Sequence, residues 1–172
     1  MTKDFDAYLD IETTGLSRLD ADITVIGIYL INGNESRLVQ LVGKEVTRDN
    51  LFEALDGVDT IYTYNGSRFD LPFIRGSLGI DLEDVFEHHD LMYDCWRCNL
   101  YGGFKMVEQQ LGIPRQLQGI GGLEAVMLWR QYRDYDDRGA LALLLEYNKE
   151  DVVNLKALRE RLSISDSIEP LP

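Results

Sequence analysis

Positive charge is scarce in this sequence. Lys and Arg total 17 against 30 Asp and Glu, a formal net charge of −13. A chain that merely coats nucleic acid through its phosphates is basic, so this balance excludes that class. It does not exclude carboxylates that hold a cation able to meet a phosphate. Long apolar runs are also missing. Stretches such as Val25 to Ile31 are strand-sized, far short of the roughly 20 residues a helix needs to cross a bilayer, and no membrane role is expected. Residues Met1 to Asp10 lack the basic-then-apolar layout of a secretory leader, which makes the cytoplasm the expected location. Cysteine is limited to Cys95 and Cys98, a poor disulfide framework that suits a reducing compartment. Repeats, low-complexity segments and inter-domain linkers are absent from the pattern.

What is present fits one compact domain. The 172 residues are 45% apolar and 27% charged, enough for a single core. Phe5 to Ile11, Asp22 to Ile31 and Ser36 to Val42 read as three strands of an antiparallel meander, with Asn32-Gly33-Asn34 as the second turn. Thr47 caps an expected helix to Leu55, Thr60 to Tyr64 reads as a fourth strand, and Arg68 to Leu78 as a helix closed by Gly79. Val85 to Asp90 completes five strands. Helices are expected near 91–99, 103–111, 121–133 and 137–162. A meander, then strand–helix alternation, then helices, predicts an α/β domain with a mixed sheet. The domain is placed at 1–164 and a frayed tail at 165–172. Strand order is not readable from this pattern.

Three segments carry chemistry. Asp10 and Glu12 stand two apart at a strand end, so both point to one face. Paired carboxylates there repel unless a cation lies between them, and oxygen ligands suit Mg²⁺ or Mn²⁺. Asp70 follows in Tyr64-Asn65-Gly66-Ser67-Arg68-Phe69-Asp70-Leu71-Pro72, a segment that leaves a strand and opens a helix. Tyr147 and Asp151 are four apart on a helix and share a face. A tyrosine hydroxyl in that place can orient a water or help deprotonate it. Each feature has a plainer reading. Asp10 and Glu12 can be ordinary strand-end acids, Asp70 a helix-start acid favoured by the dipole, and Tyr147 a core aromatic. The combination in this order favours the site.

Asp10-Ile11-Glu12-Thr13-Thr14-Gly15-Leu16, the segment around Asp70, and Tyr147-Asn148-Lys149-Glu150-Asp151 together resemble the DEDD exonucleases, and the Tyr four before the last Asp resembles their DEDDy class. The wording of the first two segments, with Leu111-Gly112-Ile113-Pro114-Arg115 and Gly119 to Arg130, is similar to the YprB-like group of ribonuclease H-like exonucleases. That group carries His-Asn where Tyr147-Asn148 stands here, which keeps the DEDDy pattern, and an acid where Gln118 stands. The resemblance, over about residues 5–162, implies a ribonuclease H-like five-stranded mixed sheet flanked by helices. It implies 3′→5′ hydrolysis of DNA or RNA with two Mg²⁺ or Mn²⁺ ions. Asp10, Glu12 and Asp151 would hold the metal that activates water, and Asp10 would bridge to a second metal shared with Asp70. Tyr147 would position the water. Thr13, Gly15 and Leu16 would meet the terminal nucleotide, and Asn65 the substrate or its own turn. The implied partner is a single-stranded 3′ end, with a further protein supplying nucleic-acid affinity as one way round the acidic charge. A structure-selective endonuclease and a silent scaffold domain are the alternatives.

Other features read as packing. Cys95-Trp96-Arg97-Cys98 near His88 and His89 lacks the two clear ligand pairs of a structural zinc site, and the two cysteines are expected as small buried groups on one helix face. Asp90 is expected to be structural. Lys105, Arg115, Arg130 and Arg133 are expected on a solvated face, and Phe104 and Trp129 in the core.

Overall fold

The structure is a computed structural model that describes residues 5–166. Strands β1 (Phe5–Thr13), β2 (Ile23–Asn32) and β3 (Glu35–Val42) form the expected meander. Helix α1 (Arg48–Ala54), strand β4 (Val58–Thr63), helix α2 (Asp70–Leu78) and strand β5 (Glu87–Asp90) follow. Helices α3 (Leu91–Arg97), α4 (Phe104–Leu111), α5 (Gly122–Tyr135) and α6 (Arg138–Asp166) complete the chain. The sheet order is β3-β2-β1-β4-β5, with β1 at the centre. Pairings around β1–β2 and β2–β3 are antiparallel, and β1–β4 and β4–β5 are parallel. This is the mixed five-stranded α/β architecture.

Local chemistry accounts for most boundaries. Gly33 takes a left-handed φ of 56° in the two-residue turn between Asn32 and Glu35, a conformation glycine adopts without steric cost. Thr47 Oγ1 accepts the Asn50 N–H at 3.2 Å and caps α1. Gly79, at φ 67°, closes α2. Two expectations are corrected. Helix α2 starts at Asp70 rather than Arg68, because residues 65–69 form a turn in which Asp90 takes the Asn65 and Ser67 amides and the Asn65 carbonyl takes those of Arg68 and Phe69. Helix α6 runs through Asp166, so the first two residues of the expected tail are helical, and 167–172 lie outside the described residues.

Alternation along β1 decides what the two layers see. Ala7, Leu9 and Ile11 pack with Leu51 of α1, Leu55 just past its end, and Phe73 and Ile74 of α2 in one core. Tyr8 points the other way, into a core with Leu91, Val152 and Leu155 of α3 and α6. Asp10 and Glu12 share the parity of Tyr8, so they face the layer that α6 covers. On β2 the same face holds Gly27, the register partner of Asp10. Its lack of a side chain is required. A Cβ at Gly27 would lie 2.0 Å from Asn148 Oδ1 of α6. Glycine here lets α6 settle deeply enough for its side chains to reach β1.

Gly27→Ala is therefore expected to destabilise the protein by about 1–3 kcal/mol through overpacking. Urea unfolding checks this. In an Asn148→Ala background, where the clashing amide is gone, the same substitution is expected to cost distinctly less.

Candidate active site

Three carboxylates converge where β1 meets α6. One oxygen each from Asp10, Glu12 and Asp151 lies within 4.8 Å of the other two. Glu12 and Asp151 are each 7% exposed, and Asp10 is half-buried. Burial, and then the charges of Asp151, Asp70 and Glu12, push the Asp10 carboxyl well above the usual range. Burial and Asp151 do the same to Glu12, against a hydrogen bond from Asn148. Asp151 is raised to about 6, by burial, with the Arg115 guanidinium holding it back. Such a cluster is stable only if protons or a cation neutralise part of it. The donors are all oxygen and face one point, so they fit a hard divalent cation such as Mg²⁺ or Mn²⁺.

Asp70 is placed differently. It is buried at the start of α2, and its Oδ2 accepts the Ile11 N–H at 3.1 Å. Burial raises its pKa to about 7 despite that bond and the one from its own amide. It contributes to the field at Asp10 and Glu12 but is not one of the three converging groups. Tyr147 is buried beside them, one turn before Asp151. Burial, then the nearby carboxylates, pushes its phenol up, so it stays protonated at neutral pH. Lys105 Nζ donates to its oxygen at 2.5 Å.

Side chains behind the cluster fix its geometry. Asn148 is fully buried, and its Nδ2 points at Asp10 Oδ2 and Glu12 Oε1, each at 3.5 Å. Its Oδ1 accepts from Gln40 Nε2 at 3.1 Å, and Gln40 also donates to the Leu145 carbonyl at 2.8 Å. Asp90 accepts from the backbone of Asn65, Ser67 and Met92 and from the Ser67 hydroxyl. It thus anchors the turn that delivers Asp70, a structural role as expected.

The carboxylates lie at the junction of two clefts. One, of about 600 Å³, is walled by Thr13, Gly15, Leu16, Phe69, Leu123 and Val126 among others, with Arg130 at its edge. The second, of about 330 Å³, holds Tyr64, Phe104, Lys105 and Met106 on the other side of Asp10 and Asp151. Thr13, Gly15 and Leu16 thus border the carboxylates. The Thr13 hydroxyl is engaged with the Gly15 carbonyl at 2.6 Å. Asn65 does not line either cleft. It sits at φ 60° with its N–H on Asp90 Oδ1 at 2.8 Å and braces the turn.

Some of the remaining groups depart from the sequence reading and others follow it. Arg115, expected on a solvated face, is buried against Asp151 and Glu108. Lys105 is bound to Tyr147, while Arg133 is exposed and paired with Asp134 as a solvated residue is. Cys95 is buried on α3, but Cys98 lies at the helix end and is half-buried. Phe104 stacks on Tyr64 with ring centroids 5.2 Å apart, and Trp129 packs against the small core around Tyr147.

The mixed five-stranded sheet and the carboxylate cluster at its centre together define an α/β fold with a candidate cation site. The family model of the ribonuclease H superfamily matches residues 7–163, and the chain belongs to that superfamily. Its fold resembles that of the family B DNA polymerase from the hyperthermophilic archaeon Pyrobaculum calidifontis, at a TM-score of 0.68 and 16% identity over 92% of this chain. The chain spans 24% of the length of that polymerase. It also resembles a nuclease solved in its apo form, at a TM-score of 0.63 and 20% identity, covering 94% of this chain and 74% of that one. No curated protein matches the chain by sequence. Among the described residues no helix is long and apolar enough to cross a membrane.

The raised carboxyls give a signed pH dependence. A carboxyl whose folded pKa exceeds its unfolded one contributes stability below the unfolded value and loses it as pH rises through the folded one. For Asp70 and Asp151 that window runs from the ordinary aspartate value of 3.8 up to about 7 and about 6. The metal-free protein is expected to lose stability across it, and added Mn²⁺ to raise Tm more at pH 8 than at pH 5. Thermal scans with and without Mn²⁺ check both; an equal or larger shift at pH 5 would contradict the cluster's role.

Proposed function

We propose that this chain is a metal-dependent 3′→5′ exonuclease of the DEDDy type, similar to the YprB-like group. The observation that carries the reading is the convergence of Asp10, Glu12 and Asp151 within 4.8 Å, with Tyr147 one turn from Asp151 beside them. Asp10, Glu12 and Asp151, with Asp70 nearby, would hold divalent ions, which would supply activation of water and stabilisation of the leaving oxygen's charge. Two such ions are the expected number.

The chain's own groups do the rest. Water adds to the terminal phosphorus and the bond from phosphorus to the preceding 3′ oxygen breaks. The proton lost by water balances the one gained by that oxygen, and a 5′-mononucleotide leaves. Tyr147 keeps its proton, accepts from Lys105, and offers its O–H to the reacting phosphate or water. Lys105 lowers the pKa values of Asp10, Glu12 and Asp151 and brings positive charge to an acidic site that must admit phosphate. The apolar walls of the larger cleft, Leu16, Phe69 and Leu123, suit an unpaired terminal base, and Thr13 and Gly15 lie where its sugar would pass. Arg130 is placed for a phosphate at the cleft edge. A net charge of −13 leaves little general attraction for nucleic acid, so a partner protein that presents the 3′ end fits the same reading.

A time course on 5′-labelled single-stranded DNA and RNA with Mg²⁺ or Mn²⁺ tests it. The expected result is a ladder shortening from the 3′ end, abolished by EDTA and by Asp10→Ala/Asp151→Ala. Tyr147→Phe is expected to lower kcat by roughly 10²-fold, the scale of losing one positioned donor. Internal cuts would replace this reading with an endonuclease. Metal binding without cleavage of either nucleic acid would point to a scaffold or a partner-dependent enzyme.

A further inference from the structure

Arg115 occupies a built seat at the back of the cluster. Its side chain is 9% exposed. Nε and Nη2 grip the Glu108 carboxylate at 3.1 and 2.6 Å, and Nη2 also donates to Asp151 Oδ1 at 2.6 Å. Glu108, itself 2% exposed, accepts Asn154 Nδ2 at 2.6 Å. The same amide reaches the Pro114 carbonyl at 3.2 Å, which ties the loop bearing Arg115 to α6. Glu150 of α6 takes the Gln116 and Leu117 amides at 2.7 Å each and holds the other side of that loop. Nη1 is buried with no hydrogen-bond partner, and the guanidinium faces the rings of Phe104 and Tyr147 at 5.9 and 5.8 Å. Both the guanidinium and its loop are thus fixed to the helix that carries Asp151.

The consequence concerns the atoms of Asp151. Oδ1 accepts from Arg115 at 2.6 Å. An oxygen so engaged keeps a lone pair but is a weaker donor to a cation than the other oxygen of the same carboxylate. Mg²⁺ and Mn²⁺ accept single oxygens in a small octahedral shell, whereas Ca²⁺ takes 6–8 oxygens and commonly uses both of a carboxylate. We infer that Arg115 is a positioning residue that disfavours two-oxygen binding at Asp151 and so tunes the site toward small divalent cations and away from Ca²⁺. This rests on the cation-binding reading of the cluster but not on the exonuclease activity.

Calorimetric titration of Mn²⁺ and of Ca²⁺ into the whole chain tests it. Glu108→Gln/Arg115→Met removes the Arg115–Glu108 pair together, which avoids leaving an unpaired charge at Glu108. The expected result is that the preference for Mn²⁺ over Ca²⁺, as a ratio of Kd values, falls by about tenfold in this variant while urea unfolding shows it folded. Arg115→Lys keeps the charge but not the fork that spans Glu108 and Asp151, and its ratio is expected to fall by about threefold. An unchanged ratio in either folded variant overturns the inference. Wild-type protein that binds neither ion overturns it together with the cation site. Wild-type protein that binds Mn²⁺ selectively, loses the preference in the variants and yet cuts no nucleic acid supports the inference and sinks only the exonuclease.

Discussion

Repulsion among carboxylates withdrawn from water is the constraint around which this molecule is arranged. Asp10, Glu12 and Asp151 come from a central strand and a long helix, and Asp70 adds its field from the start of another. Burial and mutual charge push all four carboxyls toward their neutral forms. A fold gains nothing from such crowding by itself. A cation that shared the oxygens would make the arrangement favourable, which is why the cluster is a candidate cation site.

The surroundings hold the crowding in place. Gly27 leaves the space into which Asn148 inserts, and Asn148, steadied by Gln40, turns its amide toward Asp10 and Glu12. Asp90 secures the turn before Asp70. Arg115 faces Asp151 from behind, seated by Glu108, Asn154 and Glu150. Lys105 joins Tyr147 from the second cleft. Each carboxylate is thus set by an element that would otherwise be ordinary packing, and the order of strands brings these elements together.

Much of this was legible in the sequence, for definite reasons. Period two along Phe5 to Glu12 placed Asp10 and Glu12 on one face, and i to i+4 spacing placed Tyr147 with Asp151. The Gly33 turn and the Thr47 cap fixed local boundaries through chemistry that needs no partner from afar. What escaped depends on contacts distant in the chain. The strand order was silent because pairing of β1 with β4 is set by tertiary packing rather than by local pattern. Arg115 looked like one more surface cation, because nothing near it shows that Glu108 and Asp151 bury it. Gly27 gave no hint of its role, since the amide that fills its space lies 121 positions further on, at Asn148. Of the two readings open for Asn65, substrate or its own turn, its N–H on Asp90 supports the turn.

The most direct test of the central claim is a crystal structure grown with saturating Mn²⁺ and phased on the manganese anomalous signal. The account predicts an anomalous peak in contact with Asp10, Glu12 and Asp151, with Asp151 binding through Oδ2 while Arg115 keeps Oδ1. Well-ordered carboxylates with no manganese among them, under conditions that saturate the ion, would contradict it.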